Sequence, residues 1–204
     1  MVGTIIPMVH RGTGKKKSVT AVWMYTLGCV LGATFLGVWL GILGEILFLA
    51  VPGVSDLQPA FWGCGIVGLV YSLREVGIFK IPAPQICRQV PEQRRRQMSN
   101  ERASLYYGIE LGFGVVTRIP ISSFYIIAIW ALFTGNLMLS CLSVVGFGLG
   151  KAIPVMFLAN SQVYVSGRFD VIRVLSSWQR VIHYLNGLIL CFVATILTIN
   201  GLYR

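Results

Sequence analysis

Hydrophobic and polar positions follow one another along this chain in long blocks. Five blocks are predominantly apolar, and each reaches or exceeds the about 20 residues that cross a bilayer as a helix. They are residues 20–51, 59–79, 105–133, 136–160 and 180–200. Hydrophobic residues make up 55% of the 204 residues and charged residues only 12%, which is more apolar surface than one soluble core would hide. The pattern predicts an all-α polytopic membrane protein, a single transmembrane domain with five transmembrane helices.

The basic residues lie in alternate connections between these blocks. Thirteen of the 17 lysines and arginines fall within residues 11–17, 80–102 and 168–180, whereas the connections 52–58 and 134–135 contain none. By the positive-inside rule, we expect a cytoplasmic N-terminus, a basic cytoplasmic loop at 80–104 and a C-terminus outside. The net charge of +10 then marks topology, and no nucleic acid partner is predicted. Within the loop, Arg94, Arg95 and Arg96 could contact anionic lipid headgroups of the bilayer.

Proline is expected to interrupt the third and fourth spans. Pro120 and Pro154 each remove a backbone hydrogen bond and clash with the preceding turn, so both helices are predicted to kink or break there. In each span a glycine-rich segment and then a basic residue, Arg118 or Lys151, precede the proline. Arg118 lies near the middle of its span and needs a carboxylate, freed carbonyls or a ligand anion. For Lys151, snorkelling to the cytoplasm and an interior role are both open.

A binding site for a small anionic solute is therefore predicted around Arg118. Its candidate residues are Arg118, Thr117, Ser122, Glu110 and Lys151. Glu45 and Glu110 are candidates for proton coupling. Because no nucleophile–base pair, metal cluster or phosphate loop occurs at a usable spacing, we predict no enzyme activity, catalytic residue, metal or cofactor.

Three further features concern contacts between helices. Gly28 and Gly32, and likewise Gly37 and Gly41, stand four residues apart, a spacing that lets another helix approach closely. Near the end of the second span, Arg74 is expected to snorkel and Glu75 to pair with an arginine of the following loop. In the last span, His183 is predicted to be an interfacial hydrogen-bonding residue. The sequence assigns no partner to it.

About half of the chain resembles the membrane domain of the DsbD and CcdA family, the carriers that pass reducing equivalents across the bacterial inner membrane. The segments that carry the resemblance are Ile81-Pro-Ala-Pro84, the glycine-rich helix from Gly108 to Pro120, and Gly146 to Pro154. The resemblance implies a carrier scaffold in the bacterial cytoplasmic (inner) membrane. In that family a cysteine beside proline at the helix break pairs with one in another helix. The matching segment here, Thr117 to Pro120, has no cysteine.

Three functions remain open from the sequence. The first is transport or binding of a solute around Arg118. The second is a non-catalytic structural or assembly subunit that docks against membrane-protein partners. The third is transmembrane thiol–disulfide electron transfer through a pair among Cys29, Cys64 and Cys141.

Overall fold

The computed structural model describes residues 15–50, 58–78, 98–114, 122–160 and 168–203. Apart from short turns, these residues are helical. The helices are α1 (Lys15–Ala50), α2 (Gln58–Val76), α3 (Asn100–Phe113), α4 (Ser123–Phe133), α5 (Leu137–Asn160) and α6 (Arg168–Leu202). The prediction of an all-α protein is confirmed over this part of the chain.

Three stretches of helix are long and apolar enough to cross a membrane: Val19–Ala50 of α1, Leu137–Met156 of α5 and His183–Leu202 of α6. They coincide with the first, fourth and fifth predicted spans. On α1, apolar side chains four residues apart are at least half exposed, namely Trp23, Leu27, Leu31 and Phe35. Such a stripe suits a lipid environment. A helical membrane protein is therefore confirmed, and the count of five spans stays a prediction.

The third predicted span is divided between two helices. α3 ends at Phe113, where Gly114 adopts a left-handed backbone with φ of 68°, and α4 begins only at Ser123. Glycine is the usual residue at this position because it has no Cβ to clash in the left-handed region. Pro120, at which we predicted the interruption, lies outside the described residues.

The fourth predicted span is one helix. α5 continues through Pro154 to Asn160, so the predicted break at this proline does not occur. A proline within a helix removes only its own backbone donor, and the turns on either side can continue. A kink at Pro154 stays a prediction.

The described residues divide into two compact units. The first contains residues 15–35, 98–114, 145–160 and 168–177, and the second contains residues 36–50, 58–78, 122–144 and 178–203. Each unit is built from parts of α1, α5 and α6 together with shorter helices. α3 belongs to the first unit, and α2 and α4 belong to the second.

Glycines bring α1 and α3 into backbone contact within the first unit. A Cβ added at Gly28 would lie 2.3 Å from the carbonyl oxygen of Leu105, and one at Gly112 would lie 2.2 Å from that of Cys29. The close approach predicted from Gly28 and Gly32 is thus confirmed. Beside this crossing lies a core of side chains from α1, α3 and α5, comprising Val22, Tyr25, Cys29, Leu111, Ala152 and Val155.

The second unit also uses small residues for close packing. A Cβ at Gly37 would lie 2.7 Å from Cα of Cys141, so the approach of another helix to Gly37 is confirmed as well. A Cβ at Gly68 would lie 2.7 Å from that of Ala194, which brings α2 against α6. The core between α2, α4 and α6 contains Cys64, Ile126 and Leu190.

Candidate functional site

The predicted solute site falls partly outside the described residues. Arg118 and Thr117 belong to a segment of the chain that the structure does not describe. Of the remaining candidates, Ser122 lies in the second unit, whereas Glu110 and Lys151 lie in the first.

A polar cluster forms in the second unit where α2 ends. Arg74 and Glu75 stand in the last turn of α2, Ser122 immediately precedes α4, and His183 lies on α6. One carboxylate oxygen of Glu75, Oε1, accepts hydrogen bonds from the backbone N–H of Ser122 at 3.0 Å and from its hydroxyl at 2.6 Å. The other, Oε2, lies 2.5 Å from Nδ1 of His183. The cluster joins residues from three helices or their ends.

Burial makes this arrangement costly unless the carboxylate is satisfied. The side chain of Glu75 is only 5% exposed, while that of His183 is 33% exposed. A buried carboxylate needs partners for its oxygens, and both oxygens of Glu75 have them. The carboxylate also lies at the N-terminal end of α4, where the helix dipole favours negative charge.

Arg74 also contacts Ser122. Its Nη1 donates to the hydroxyl oxygen of Ser122 at 3.3 Å, and its guanidinium carbon lies 5.9 Å from the centre of the Tyr71 ring. Tyr71 in turn stacks on Tyr125 at 4.8 Å between ring centres. No carboxylate within the described ranges forms an ion pair with Arg74. The guanidinium is held by a hydroxyl and a ring face.

These contacts change what was predicted for Glu75 and define the role of His183. Within the described part of the chain, Glu75 pairs with His183 and Ser122. Most of the loop arginines with which it was predicted to pair, Arg88, Arg94, Arg95 and Arg96, lie outside the described residues. His183 does form a hydrogen bond, and its partner is a carboxylate 108 positions earlier in the chain. The available sequence signals were a charged pair inside an apolar block and a histidine at the start of another. Neither signal says which two helices are neighbours.

In the first unit, Lys151 points into the protein. Its ammonium donates to the carbonyl oxygen of Leu111 at 3.3 Å and lies 4.4 Å from the centre of the Phe147 ring. Of the two alternatives for Lys151, the interior one agrees with these contacts. Glu110 lies next to Leu111 on α3 and is partly buried. It forms no hydrogen bond or ion pair with any described residue.

The remaining candidates are single side chains. Glu45 on α1 is exposed, and its role in proton coupling stays a prediction. Cys29 and Cys64 are fully buried, Cys141 is partly buried, and all three are free thiols. Cys64 donates to the carbonyl oxygen of Ile126 at 3.5 Å. The structure brings no two of these cysteines together as a disulfide.

Comparison with known proteins identifies relatives over most of the chain. Residues 1–196 match the family described as "Cytochrome C biogenesis protein transmembrane region". The methylamine utilization protein MauF of Paracoccus denitrificans is 32% identical over 151 residues, which are 71% of this chain and 53% of that protein. MauF of Paracoccus versutus is 30% identical over 153 residues, 71% of this chain and 54% of the relative.

MauF of Methylophilus methylotrophus is 31% identical over 131 residues, covering 64% of this chain and 45% of the relative. The chain thus spans about half the length of these curated relatives. No solved structure matches it.

Proposed function

The chain belongs to the family of the cytochrome C biogenesis protein transmembrane region, and from this we propose that it is a membrane carrier that binds a small anionic solute. The site would contain Arg74, Ser122 and Arg118. The observation that carries the proposal is the guanidinium of Arg74, which contacts Ser122 and Tyr71 but no described carboxylate.

The donors of Arg74 support an anionic ligand. A guanidinium has five N–H donors in a fixed fork, and a single hydrogen bond to Ser122 engages Arg74 within the described residues. Glu75 is adjacent in sequence, yet its two oxygens already face Ser122 and His183. An arginine in a membrane protein interior needs a compensating charge. A carboxylate, sulfate or phosphate group of a solute would provide one, with bidentate geometry.

Arg118 keeps its place in the proposal on the sequence alone. It stands four residues before Ser122 and lies outside the described residues. Within the described residues, the proposed site is centred on Arg74 and Ser122.

The names of the relatives suggest a setting for this activity. The MauF proteins are named for methylamine utilization, and the family for cytochrome c biogenesis. We propose that this chain serves a membrane step in a comparable system, in the bacterial inner membrane with its N-terminus cytoplasmic and its C-terminus outside.

Anion binding can be tested on the purified chain in detergent. Sulfate, phosphate and acetate are added as sodium salts at constant ionic strength, and thermal unfolding is followed. A ligand that binds the folded state alone raises its stability with concentration, so at least one anion should raise the wild-type melting temperature. The R74Q and R118Q variants should lose this rise.

R102Q provides the matched control. Arg102 is exposed on α3, so the control removes the same charge away from the site and should keep the wild-type response. An undiminished response in R74Q, or no response of the wild type to any of the three anions, would contradict the proposal.

Thiol–disulfide transfer is supported less well by the described cysteines. Exchange requires an accessible thiolate and a resolving partner, whereas Cys29 and Cys64 are fully buried. Thiol trapping in oxidised and reduced cells would support this function if the labelling of any cysteine differed between the two.

An assembly subunit is the other alternative. A stoichiometric membrane-protein partner retained in mild detergent would favour it.

A further inference from the structure

Glu75 and His183 connect a buried side chain to a partly exposed one. The carboxylate of Glu75 is 5% exposed, the imidazole of His183 is 33% exposed, and the two are in direct hydrogen-bond contact. We propose that this pair is a proton-binding site in which His183 passes protons between the surface and Glu75, and whose occupancy sets how firmly Ser122 is held. Neither Glu45 nor Glu110, the carboxylates favoured by the sequence, has such a partner in the described structure.

The proton transfer involves only N–H and O–H bonds. The proton on Nδ1 of an imidazolium moves to Oε2 of Glu75, which leaves a neutral imidazole and a neutral carboxylic acid. The new O–H then donates back to Nδ1. The imidazolium itself forms when a neutral imidazole, with its proton on Nδ1, takes up a proton from water at its other ring nitrogen, Nε2. The pair therefore binds one proton from water without any change of redox state.

The packing of α6 holds the two groups together. Gly187 lies one turn after His183, and a Cβ added there would lie 3.2 Å from Cβ of Glu75 and 3.4 Å from the carbonyl oxygen of Ser72. A side chain at this position would require these neighbours to shift by a few tenths of an ångström. Gly187 thus lets α6 lie close to α2 beside the Glu75–His183 pair.

The surroundings of Glu75 include charged and titratable groups from each packed element. α2 contributes Arg74 and Tyr71, whose ring lies beneath the guanidinium. From α4 comes Tyr125, stacked on Tyr71. α6 contributes His183, the titratable group in hydrogen-bond contact with Glu75. Of these groups, Arg74 and His183 are the ones that can carry a positive charge.

Protonation of Glu75 acts on α4 through Ser122. The charged carboxylate accepts two hydrogen bonds from Ser122, one of them from the backbone that leads into α4. Hydrogen bonds to a charged acceptor are roughly twice as strong as those to a neutral one. Proton binding should therefore loosen the start of α4. A link between this movement and solute transport rests on the proposed function. The proton site itself does not depend on that function.

Infrared difference spectroscopy on the full chain in lipid nanodiscs tests the site without any added anion. On acidification, the wild type should gain a carbonyl band of a protonated carboxylic acid, part of which is lost in E75Q. E110Q is the matched control, because it removes a partly buried glutamate from the first unit and should keep this component. If the spectra of E75Q and the wild type coincide, the site is overturned.

A second variant covers the case in which E75Q does not fold. H183Q removes the imidazole that receives the hydrogen bond, so the carbonyl band of Glu75 should shift in frequency. An unshifted band would overturn the pairing. The anion assay is separate from these spectra, so a failure of anion binding leaves the proton site standing, and the reverse is also true.

Hydrogen exchange tests the coupling to α4. Corrected for intrinsic rates, exchange at the first amides of α4 should speed up on acidification in the wild type. In E75Q it should already be fast and should change little with pH. Equal pH dependence in both proteins would overturn the coupling.

Discussion

Glycine residues in the first unit fall into two groups with opposite surroundings. A Cβ at Gly112 would meet the backbone oxygen of Cys29 at 2.2 Å, whereas one at Gly150 would have nothing within 4 Å. Backbone atoms cannot rotate away as a side chain can. The two glycines therefore differ in what a single methyl group would do.

We expect G112A to lower the free energy of unfolding by about 1–3 kcal/mol, because the methyl group forces α1 and α3 apart. In contrast, G150A should be neutral or should stabilise α5 by up to about 1 kcal/mol, since alanine has the higher helix propensity. Thermal unfolding of both variants in the same detergent measures the difference. Equal melting temperatures would mean that the α1–α3 contact does not exist in solution.

At the residue scale, the sequence predicted which glycines approach a neighbouring helix but not which charges meet. The four-residue spacing of Gly28 and Gly32 places both on one helix face, which is a local property. The contact of Glu75 with His183 instead joins residues 108 positions apart. It depends on which helices are neighbours and at what height, and hydrophobic periodicity contains neither fact.

At the scale of an element, the start of α5 depends on one capping side chain. Oδ1 of Asn136 accepts hydrogen bonds from the backbone N–H groups of Met138 at 3.0 Å and Leu139 at 3.2 Å. These are donors of the first turn, which have no partner inside the helix. Gly135 precedes it with φ of 60°, a conformation that favours glycine.

Replacement of this cap should destabilise the protein measurably. N136A leaves the first-turn donors without the side-chain oxygen and should lower the free energy of unfolding by about 1 kcal/mol. N136D keeps an acceptor at the helix N-terminus and should remain close to the wild type. Chemical or thermal unfolding distinguishes the two. If N136D lowers the free energy of unfolding as much as N136A does, capping is not the role of Asn136.

The ends of the elements were predictable only in part. The predicted span 136–160 agrees with α5, because the apolar block and the cap residue are both local signals. The predicted span 105–133 corresponds to two helices, α3 and α4. Its apolar character continues past Gly114, where the backbone turns left-handed, and hydropathy does not register backbone conformation. At Pro154 the predicted break does not occur, since α5 continues through it, and a kink there stays a prediction.

At the scale of the whole molecule, three spans and five spans predict different locations for one loop. Both counts are odd and leave the termini on opposite sides of the membrane. With five spans, residues 80–104 are cytoplasmic. With three spans at the helices that meet the length and composition criteria, the same loop lies outside. The basic residues of the loop favour the cytoplasm.

Cys87 is a natural reporter within this loop. A membrane-impermeant maleimide should fail to label it in intact spheroplasts and should label it after permeabilisation, because five spans place it inside. The C87S variant is the control, and the difference between it and the wild type isolates Cys87 from the other cysteines. Labelling of Cys87 in intact spheroplasts would contradict the predicted five-span topology and would agree with three spans.

The bare backbone contact between α1 and α3 also has a consequence for biosynthesis. Gly28 leaves the ribosome 80 residues before Gly108, whose Cα lies beside it in the finished protein. At about 5–20 residues per second, the interval is roughly 4–16 seconds. During that time the face of α1 that contains Gly28 and Gly32 lies in the membrane without α3 packed against it. A nascent chain whose Gly108 has not yet left the ribosome is therefore a species in which this face is open to other helices.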